Sequence, residues 1–188
     1  MTSTVDSLGT VSQPQNLDDG PKSAWILSKR YWYWLSFILP AIPLVSGYLA
    51  IETGYGIWLW YTVAVLYVIL PAADFIFGTD DSNPNDELVE KLKGERYYVY
   101  IMYIATFVHW ASLVGMAYVV SQYDWSWFSI LGGALSAGII NGVGLVAGHE
   151  MGHKVNDRAQ ATCAKLVLAC SGYGHFCIEH NKGHHKDV

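Results

Sequence analysis

The sequence predicts an all-α fold: a polytopic membrane helical bundle of four transmembrane helices, with cytoplasmic-side helices that carry two histidine boxes. Three observations lead to this prediction: four long runs without charge, a one-sided distribution of Lys and Arg around them, and two groups of histidines after the fourth run. The mean hydropathy is only +0.23, because the apolar residues are concentrated in these runs instead of being spread along the chain.

The first segment, residues 1–24, is rich in Ser, Thr, Gln, Asp and Gly and has neither a basic start nor an apolar core. This composition argues against both a signal peptide and a folded domain. We therefore expect a disordered cytoplasmic tail.

Four runs that lack Asp, Glu, Lys and Arg come next, at residues 31–51, 54–73, 97–120 and 125–148. Each has the roughly 20 residues that a helix needs to cross about 30 Å of hydrocarbon. Buried helices of a soluble protein are the alternative, but four such runs in so short a chain argue against it. We predict a transmembrane bundle over residues 25–148.

Basic residues flank the predicted spans on one side only. They precede the first span, lie between the second and third, or follow the fourth: Lys22, Lys29, Arg30, Lys91, Lys93, Arg96, Lys154, Arg158, Lys165, Lys182 and Lys186. The connections at residues 52–53 and 121–124 contain none. Because Lys and Arg are retained on the cytoplasmic side, we expect both chain ends, and a metal-binding segment at residues 149–188, to be cytoplasmic.

Five histidines in this last segment predict a metal site. His149 and His153 are four residues apart, so both rings project from one helix face, and His180 and His184 repeat the spacing. His185 lies about 100° around the helix from His184, which suits a second metal better than the first. Histidine is the commonest metal ligand, so five clustered imidazoles indicate metal binding.

The segment between the two boxes, residues 155–174, contains several charges and only a short apolar stretch. A full crossing there would place the boxes on opposite faces of the membrane. We therefore predict an amphipathic or partly inserted helix that lies against the bundle. Cys163, Cys170 and Cys177 recur every seventh residue without C-x-x-C, which predicts small apolar side chains on one helix face rather than disulfides or metal ligands.

The residue types do not select the metal, since imidazole binds zinc, copper, iron and nickel. His149, Glu150 and His153 also form H-E-x-x-H, the zinc metalloprotease motif in which Glu activates water. An intramembrane zinc metalloprotease is therefore one alternative. The three additional histidines exceed what a single zinc site needs, and this surplus favours two metals.

The segments G-H-E-M-G-H-K at residues 148–154 and Y-G-H-F-C-I-E-H-N-K-G-H-H at residues 173–185 resemble the first two histidine boxes of the membrane alkane 1-monooxygenases. This family belongs to the wider set of histidine-box membrane desaturases and hydroxylases. Desaturases usually have H-x-x-H-H in the second box, and the extra residue here favours the alkane hydroxylase branch over a di-iron fatty-acyl desaturase or hydroxylase. The family's third histidine box does not occur here, so we expect this chain to be the N-terminal part of a longer protein.

The resemblance implies a non-haem di-iron centre of two iron ions, without haem. The implied iron ligands are His149, His153, His180, His184 and His185. No catalytic residue beyond the metal ligands is expected. Glu150, Glu179 and His175 are candidates for holding the imidazoles in place through hydrogen bonds.

The resemblance also implies hydroxylation of the terminal methyl group of medium-chain n-alkanes to primary alcohols with dioxygen. Electrons would come from rubredoxin and its NAD(P)H-dependent rubredoxin reductase, and the enzyme would lie in the bacterial inner (cytoplasmic) membrane. No nucleic-acid partner is expected. Trp58 and Trp60 are candidate walls of a substrate cavity, and we hypothesise that Trp60 limits chain length; ordinary packing tryptophans are the alternative.

His109 lies midway along the third predicted span, where an ionisable side chain is costly. It is roughly 15 Å or more from the membrane boundary at which the boxes cluster. We expect a neutral ring that is hydrogen-bonded between helices rather than a metal ligand.

Overall fold

The structure, a computed structural model, describes residues 28–78, 89–90, 92 and 95–180. Within these residues it contains helices and no strand, which confirms the predicted all-α class. The expected tail at residues 1–24 and the two histidines His184 and His185 lie outside the described residues.

Two compact units are distinguished. One comprises residues 1–32 and 81–94, and its described residues are helical; the other comprises residues 33–80 and 95–188. All side-chain contacts discussed below lie within the second unit.

Within the described part of the chain, four long helices match the predicted number of transmembrane helices. They are α1 (Lys29–Thr53), α2 (Gly56–Phe77), α3 (Arg96–Gln122) and α4 (Trp127–Gly152), and each is long and apolar enough to cross a membrane. Every helix extends beyond its charge-free run. For the site, the important extension is that of α4, which carries the helix through the first histidine box.

Contacts at both ends of the bundle show that successive helices run in opposite directions. At one end, Gly54 ends α1 with a φ of 70°. A side chain at Gly56 would collide with Ser129, so the turn before α2 packs closely on the start of α4. At the other end, Trp34 Nε1 at the start of α1 donates a hydrogen bond of 2.7 Å to the Tyr97 hydroxyl at the start of α3.

Helix α2 is irregular. It begins as a 3-10 helix at Gly56–Trp60, continues as α-helix at Tyr61–Ala64, widens to a π-helix at Val65–Ile69 and ends as α-helix at Leu70–Phe77. Pro71 follows the π segment and has no N–H to donate to the preceding turn, which accounts for the local change in hydrogen bonding.

A short helix, α5 (Arg158–Ala169), follows α4 and is too short to cross a membrane. Asp157 begins it by accepting hydrogen bonds from the N–H groups of Ala159 and Gln160 at 2.9 and 3.1 Å. It packs directly on α4, because a Cβ added at Gly148 would lie 2.6 Å from Leu168 Cγ. The helix therefore runs back along the last three turns of α4.

Candidate metal centre

The end of α4 places the first histidine pair. His149 lies in the last turn of α4 and His153 immediately follows the helix. Their Nε2 atoms are 3.0 Å apart, so the i, i+4 spacing brings both ring nitrogens to one point as the sequence predicts.

The second box returns to this point through a turn after α5. Gly172 has a φ of 72°, a left-handed conformation that reverses the chain, and the Tyr173 N–H donates to the Leu168 carbonyl at 3.0 Å. A single helical turn, α6 (Phe176–Glu179), then leads to His180. The His180 ring centroid lies 4.3 Å from that of His149 and 5.0 Å from that of His153.

The three imidazoles have the geometry of a metal site. One ligand nitrogen from each of His149, His153 and His180 lies within 4.8 Å of the other two. With bonds of about 2.1 Å, two ligands at a right angle on one ion are about 3 Å apart, which matches the 3.0 Å between the nitrogens of the first pair. The nitrogens of the first pair therefore fit two ligand positions of one transition-metal ion, and His180 lies beside them.

Phe176 orients two of the rings. It stacks on His180 with a centroid distance of 4.8 Å and an interplanar angle of 16°, and it lies 5.5 Å from the His149 ring. An aromatic side chain at this position restricts the rotation of both imidazoles. Sequence reasoning missed Phe176, although it lies four residues before His180 and therefore on the same helix face.

The three residues expected to hold the imidazoles have other contacts. Glu179 accepts a hydrogen bond of 3.3 Å from the Tyr173 hydroxyl and lies 3.6 Å from His175 Nε2, with both side chains more than half exposed. Glu150 is exposed beside His149. Within the described part of the chain, no hydrogen bond joins either glutamate to His149, and the roles assigned to these three residues remain predictions.

An apolar cavity of about 420 Å³ reaches the metal site. Its walls come from α4, α5 and the second box: Leu145, Val146, His149, Glu150, Leu168, Tyr173 and Phe176. Leu145 and Val146 precede His149 by four and three residues, so they form the wall one helical turn above it. That apolar turn was the only sequence feature pointing to this cavity.

Trp58 and Trp60 are not brought to the histidines. Trp60 Nε1 donates to the Phe128 carbonyl at 3.0 Å, and its ring covers Gly132, where an added Cβ would lie 2.5 Å away. Gly132 and His149 are 17 residues apart on α4, about 25 Å along the helix axis. Trp58 packs on the cluster of Ala50, Leu59, Met116 and Val119. Both residues pack against neighbouring elements away from the histidines, and their assignment as walls of a substrate cavity remains a prediction.

His109 is buried between α3 and α4. It is 2 % exposed, its Nδ1 contacts the Ala105 carbonyl of its own helix at 2.8 Å, and the backbone of Ile140 on α4 also interacts with the ring. Nε2 has no partner of hydrogen-bond geometry in the described structure. Gly144 of α4 makes room for the ring, since a Cβ there would lie 2.8 Å from Nε2. His109 is thus a packed residue outside the histidine cluster.

The two cysteines whose side chains the structure describes lie outside the histidine cluster. Cys163 and Cys170 are both free and 8 % exposed. Burial raises the pKa of Cys163 above its usual value and that of Cys170 to about 11, so neither is a thiolate at neutral pH. The expectation of apolar cysteines is confirmed for these two, and the Cys177 side chain lies outside the described set.

Comparison with known proteins identifies several relatives that share one name. An alkane 1-monooxygenase of Pseudomonas putida is 47% identical over 172 residues, 92% of this chain and 42% of the relative. An alkane 1-monooxygenase of Ectopseudomonas oleovorans is 45% identical over 172 residues, again 92% of this chain and 42% of the relative. Alkane 1-monooxygenase 1 of Alcanivorax borkumensis is 42% identical over 90% of this chain and 42% of its own length. No protein-family model matches the chain. The identity extends far beyond the two boxes, and the chain spans about two fifths of the length of these relatives.

Proposed function

We propose that this chain, which is homologous to the alkane 1-monooxygenases over about nine tenths of its length, supplies the membrane bundle and part of the metal centre of an enzyme that hydroxylates the terminal methyl group of n-alkanes. The supporting observation is that three imidazoles lie close together and that one of them, His149, also lines an apolar cavity. A site that oxidises a hydrocarbon needs both features side by side.

The proposed cofactor is a di-iron centre. His149, His153 and His180 would hold one iron, and His184 and His185 would contribute to the centre from beyond the described residues. Glu150, Glu179 and His175 would hold the imidazole ligands in place through hydrogen bonds. When bound, iron supplies the capacity to accept electrons and activate dioxygen, which zinc lacks because it has no redox chemistry. This difference, together with the relatives, favours a hydroxylase over an H-E-x-x-H protease.

The chain's own residues would bind and orient the alkane. Leu145, Leu168 and Phe176 offer it an apolar wall, and they exclude water from the side of His149 that faces the cavity. The cavity volume of about 420 Å³ lies within the range of small-molecule sites. Val146 is 68 % exposed on the outside of the bundle, so we infer that a medium-chain alkane enters from the lipid and presents only its terminal methyl group.

The electron donor would approach from the cytoplasm. Lys154, Arg158 and Lys165 are exposed beside the end of α4 and on α5. We infer that they form a docking face for rubredoxin, an acidic iron protein reduced by its NAD(P)H-dependent reductase. The same cations would also favour anionic lipid on the inner leaflet of the bacterial inner membrane. Salt-dependent turnover that changes when Lys154 and Lys165 are neutralised would distinguish docking from lipid contact.

Metal and product analysis test the proposal. The protein, purified from iron-replete cells, should contain iron, about two ions if the centre is complete, and should form 1-octanol from octane with rubredoxin, its reductase and NADH. His149→Ala and His180→Ala should abolish both properties, while Glu52→Gln, in the last turn of α1 at the opposite end of the bundle, should preserve them. A single zinc ion with peptide cleavage, or iron with desaturation of fatty acyl chains and no octanol, would contradict the assignment.

A further inference from the structure

Two side chains of the membrane bundle donate hydrogen bonds to the end of α5. The amide Nδ2 of Asn141, on α4, donates to the Cys170 carbonyl at 3.0 Å. The indole Nε1 of Trp110, on α3, donates to the Leu166 carbonyl at 2.9 Å. The two donors come from different helices but reach carbonyls that are four residues apart, one helical turn.

These carbonyls lie in the last turn of α5, where that of Leu166 also accepts a weak bond of 3.7 Å from Cys170 Sγ. The last carbonyls of an α-helix have no partner within the helix, and Cys170 is the residue that ends α5. Asn141 is 6 % exposed, so water does not readily replace its amide. The side chains therefore define both the position and the direction of the end of α5 relative to α3 and α4.

The end of α5 in turn determines where the second box lies. From Cys170 the chain passes through Gly172, and Tyr173 is tied back to Leu168. His180 is only ten residues from Cys170. Gly148 at the same time allows a close approach of α5 to α4, one residue before His149. A shift at the end of α5 would consequently alter the distance between His180 and the first box.

We propose that Asn141 and Trp110 are positioning residues of the metal centre. They act through the carbonyls of Cys170 and Leu166, and they hold His180 at its short distance from His149 and His153. The inference rests on the proposed function insofar as the three imidazoles bind metal. It concerns residues 8 and 39 positions before His149, which lie outside the two histidine boxes.

Matched pairs of variants test this role in the protein reconstituted into lipid nanodiscs. Trp110→Phe removes the indole donor and is compared with Trp125→Phe, which loses a bond of the same kind, 2.9 Å to the Val119 carbonyl. Asn141→Leu is compared with Ser136→Ala, which loses a buried bond of 2.7 Å from α4 to the Leu59 carbonyl. Asn141→Gln retains a carboxamide donor, so it should lose less Co²⁺ affinity than Asn141→Leu.

The first measurement is titration of the metal-free protein with Co²⁺, followed by its visible ligand-field spectrum. Trp110→Phe and Asn141→Leu should each weaken Co²⁺ binding by about tenfold, the lower end of the effect of residues that support metal ligands, and should change the spectrum. Trp125→Phe and Ser136→Ala should change neither. Unaltered affinity and spectrum in Trp110→Phe, or equal losses in the two controls, would overturn the proposal.

The second measurement is hydrogen exchange of residues 171–180 in the metal-free protein. The two variants should accelerate exchange in this segment, while their controls should not. If the unaltered protein binds no Co²⁺, the proposed metal site fails, and exchange still decides whether Asn141 and Trp110 anchor the segment. If Asn141→Leu does not fold, Trp110→Phe decides the outcome.

Discussion

His180 and His175 belong to the same box but have different surroundings. The His180 ring lies 4.3 Å from His149, whereas His175 pairs with Glu179 on the exposed side of the segment. We expect His180→Ala to lower Co²⁺ affinity by more than about 100-fold because a ligand is lost, and His175→Ala to lower it by less than about tenfold, the smallest effect of a supporting partner. Competition with a chromophoric chelator measures both affinities, and equal losses would contradict the distinction.

Residues near the cavity, rather than Trp60, are expected to control alkane chain length. Leu145→Phe places a larger side chain in the cavity wall one turn from His149 and so narrows the cavity. It should reduce kcat/KM for dodecane relative to octane by about tenfold, because added bulk in an apolar pocket rejects longer chains. Leu135→Phe, on the outer surface of α4, is the control and should leave the ratio unchanged.

The hypothesis that Trp60 limits chain length is tested in the same assay. Trp60→Ser removes the bond to the Phe128 carbonyl and the stacking on the Phe128 ring, whose centroid lies 4.7 Å away. We therefore expect lower thermal stability with an unchanged product profile. A shift of the profile to longer alkanes would support the sequence-based hypothesis and place the far end of the substrate near Gly132.

At the scale of helices, α4 has one glycine in close contact with α5, Gly148, and another, Gly138, with open space around it. Gly148→Ala would place a Cβ 2.6 Å from Leu168 Cγ, whereas a Cβ at Gly138 meets nothing within 4 Å. The first change should destabilise the protein by about 1 to 3 kcal/mol through overpacking. The second should be neutral or stabilising by up to about 1 kcal/mol, since Ala favours helix over Gly.

Thermal unfolding in detergent measures the stability of the Gly148→Ala and Gly138→Ala variants. Their Co²⁺ affinity is the second measurement. Gly148→Ala should also weaken Co²⁺ binding, because α5 leads to His180. Equal stability of the two variants would show that α5 is not held against α4 as described.

The start of α5 should respond to acid. Hydrogen bonds from the Gln160 side chain, and then from the N–H groups of Gln160 and Ala159, hold the pKa of Asp157 below its usual value of 3.8. A carboxyl whose pKa is lowered by folding stabilises the folded state above its unfolded pKa, and this contribution is lost as pH falls through the folded pKa. The start of α5 should therefore be intact at pH 5 and loosen below about pH 4.

Hydrogen exchange of residues 158–162 between pH 5 and pH 3, corrected for the intrinsic rate, measures this change. Asp157→Asn keeps an acceptor without a titrating group and should remove the pH dependence, while Asp157→Ala should give rapid exchange at every pH. A pH dependence that persists in Asp157→Asn would assign the effect to another group.

The sequence predicted the helices better than it predicted their contacts. Charge-free length alone identifies a membrane span, so all four were found, and the need for both boxes to share one face correctly predicted that α5 does not cross. Asn141 and Trp110 lie inside uncharged runs and have no periodicity that distinguishes a hydrogen-bonding side chain from a lipid-facing one. The cavity joins Leu145 to Phe176, 31 positions apart, and such proximity arises only after α5 and the Gly172 turn have formed.

At the scale of the whole molecule, the proposed electron supply requires a particular orientation in the membrane. The turn at residues 54–55 lies beside the start of α4, whereas the histidines lie at the end of α4. The basic residues cluster at the histidine end, which predicts that this end faces the cytoplasm. NAD(P)H is available on that side, so an outward-facing metal centre would be incompatible with the proposed donor.

Cysteine labelling in spheroplasts of a bacterial host tests the orientation. Thr53→Cys and Tyr123→Cys lie in exposed positions at the end opposite the histidines and should react with a membrane-impermeant maleimide in intact spheroplasts. Val155→Cys, at the histidine end, should react only after lysis; the variants are made in Cys177→Ala protein, and the buried Cys163 and Cys170 add little background because burial keeps their thiols protonated. Labelling of Val155→Cys before lysis would place the metal centre outside, and reduction by a cytoplasmic rubredoxin would then be excluded even if the histidines bind iron.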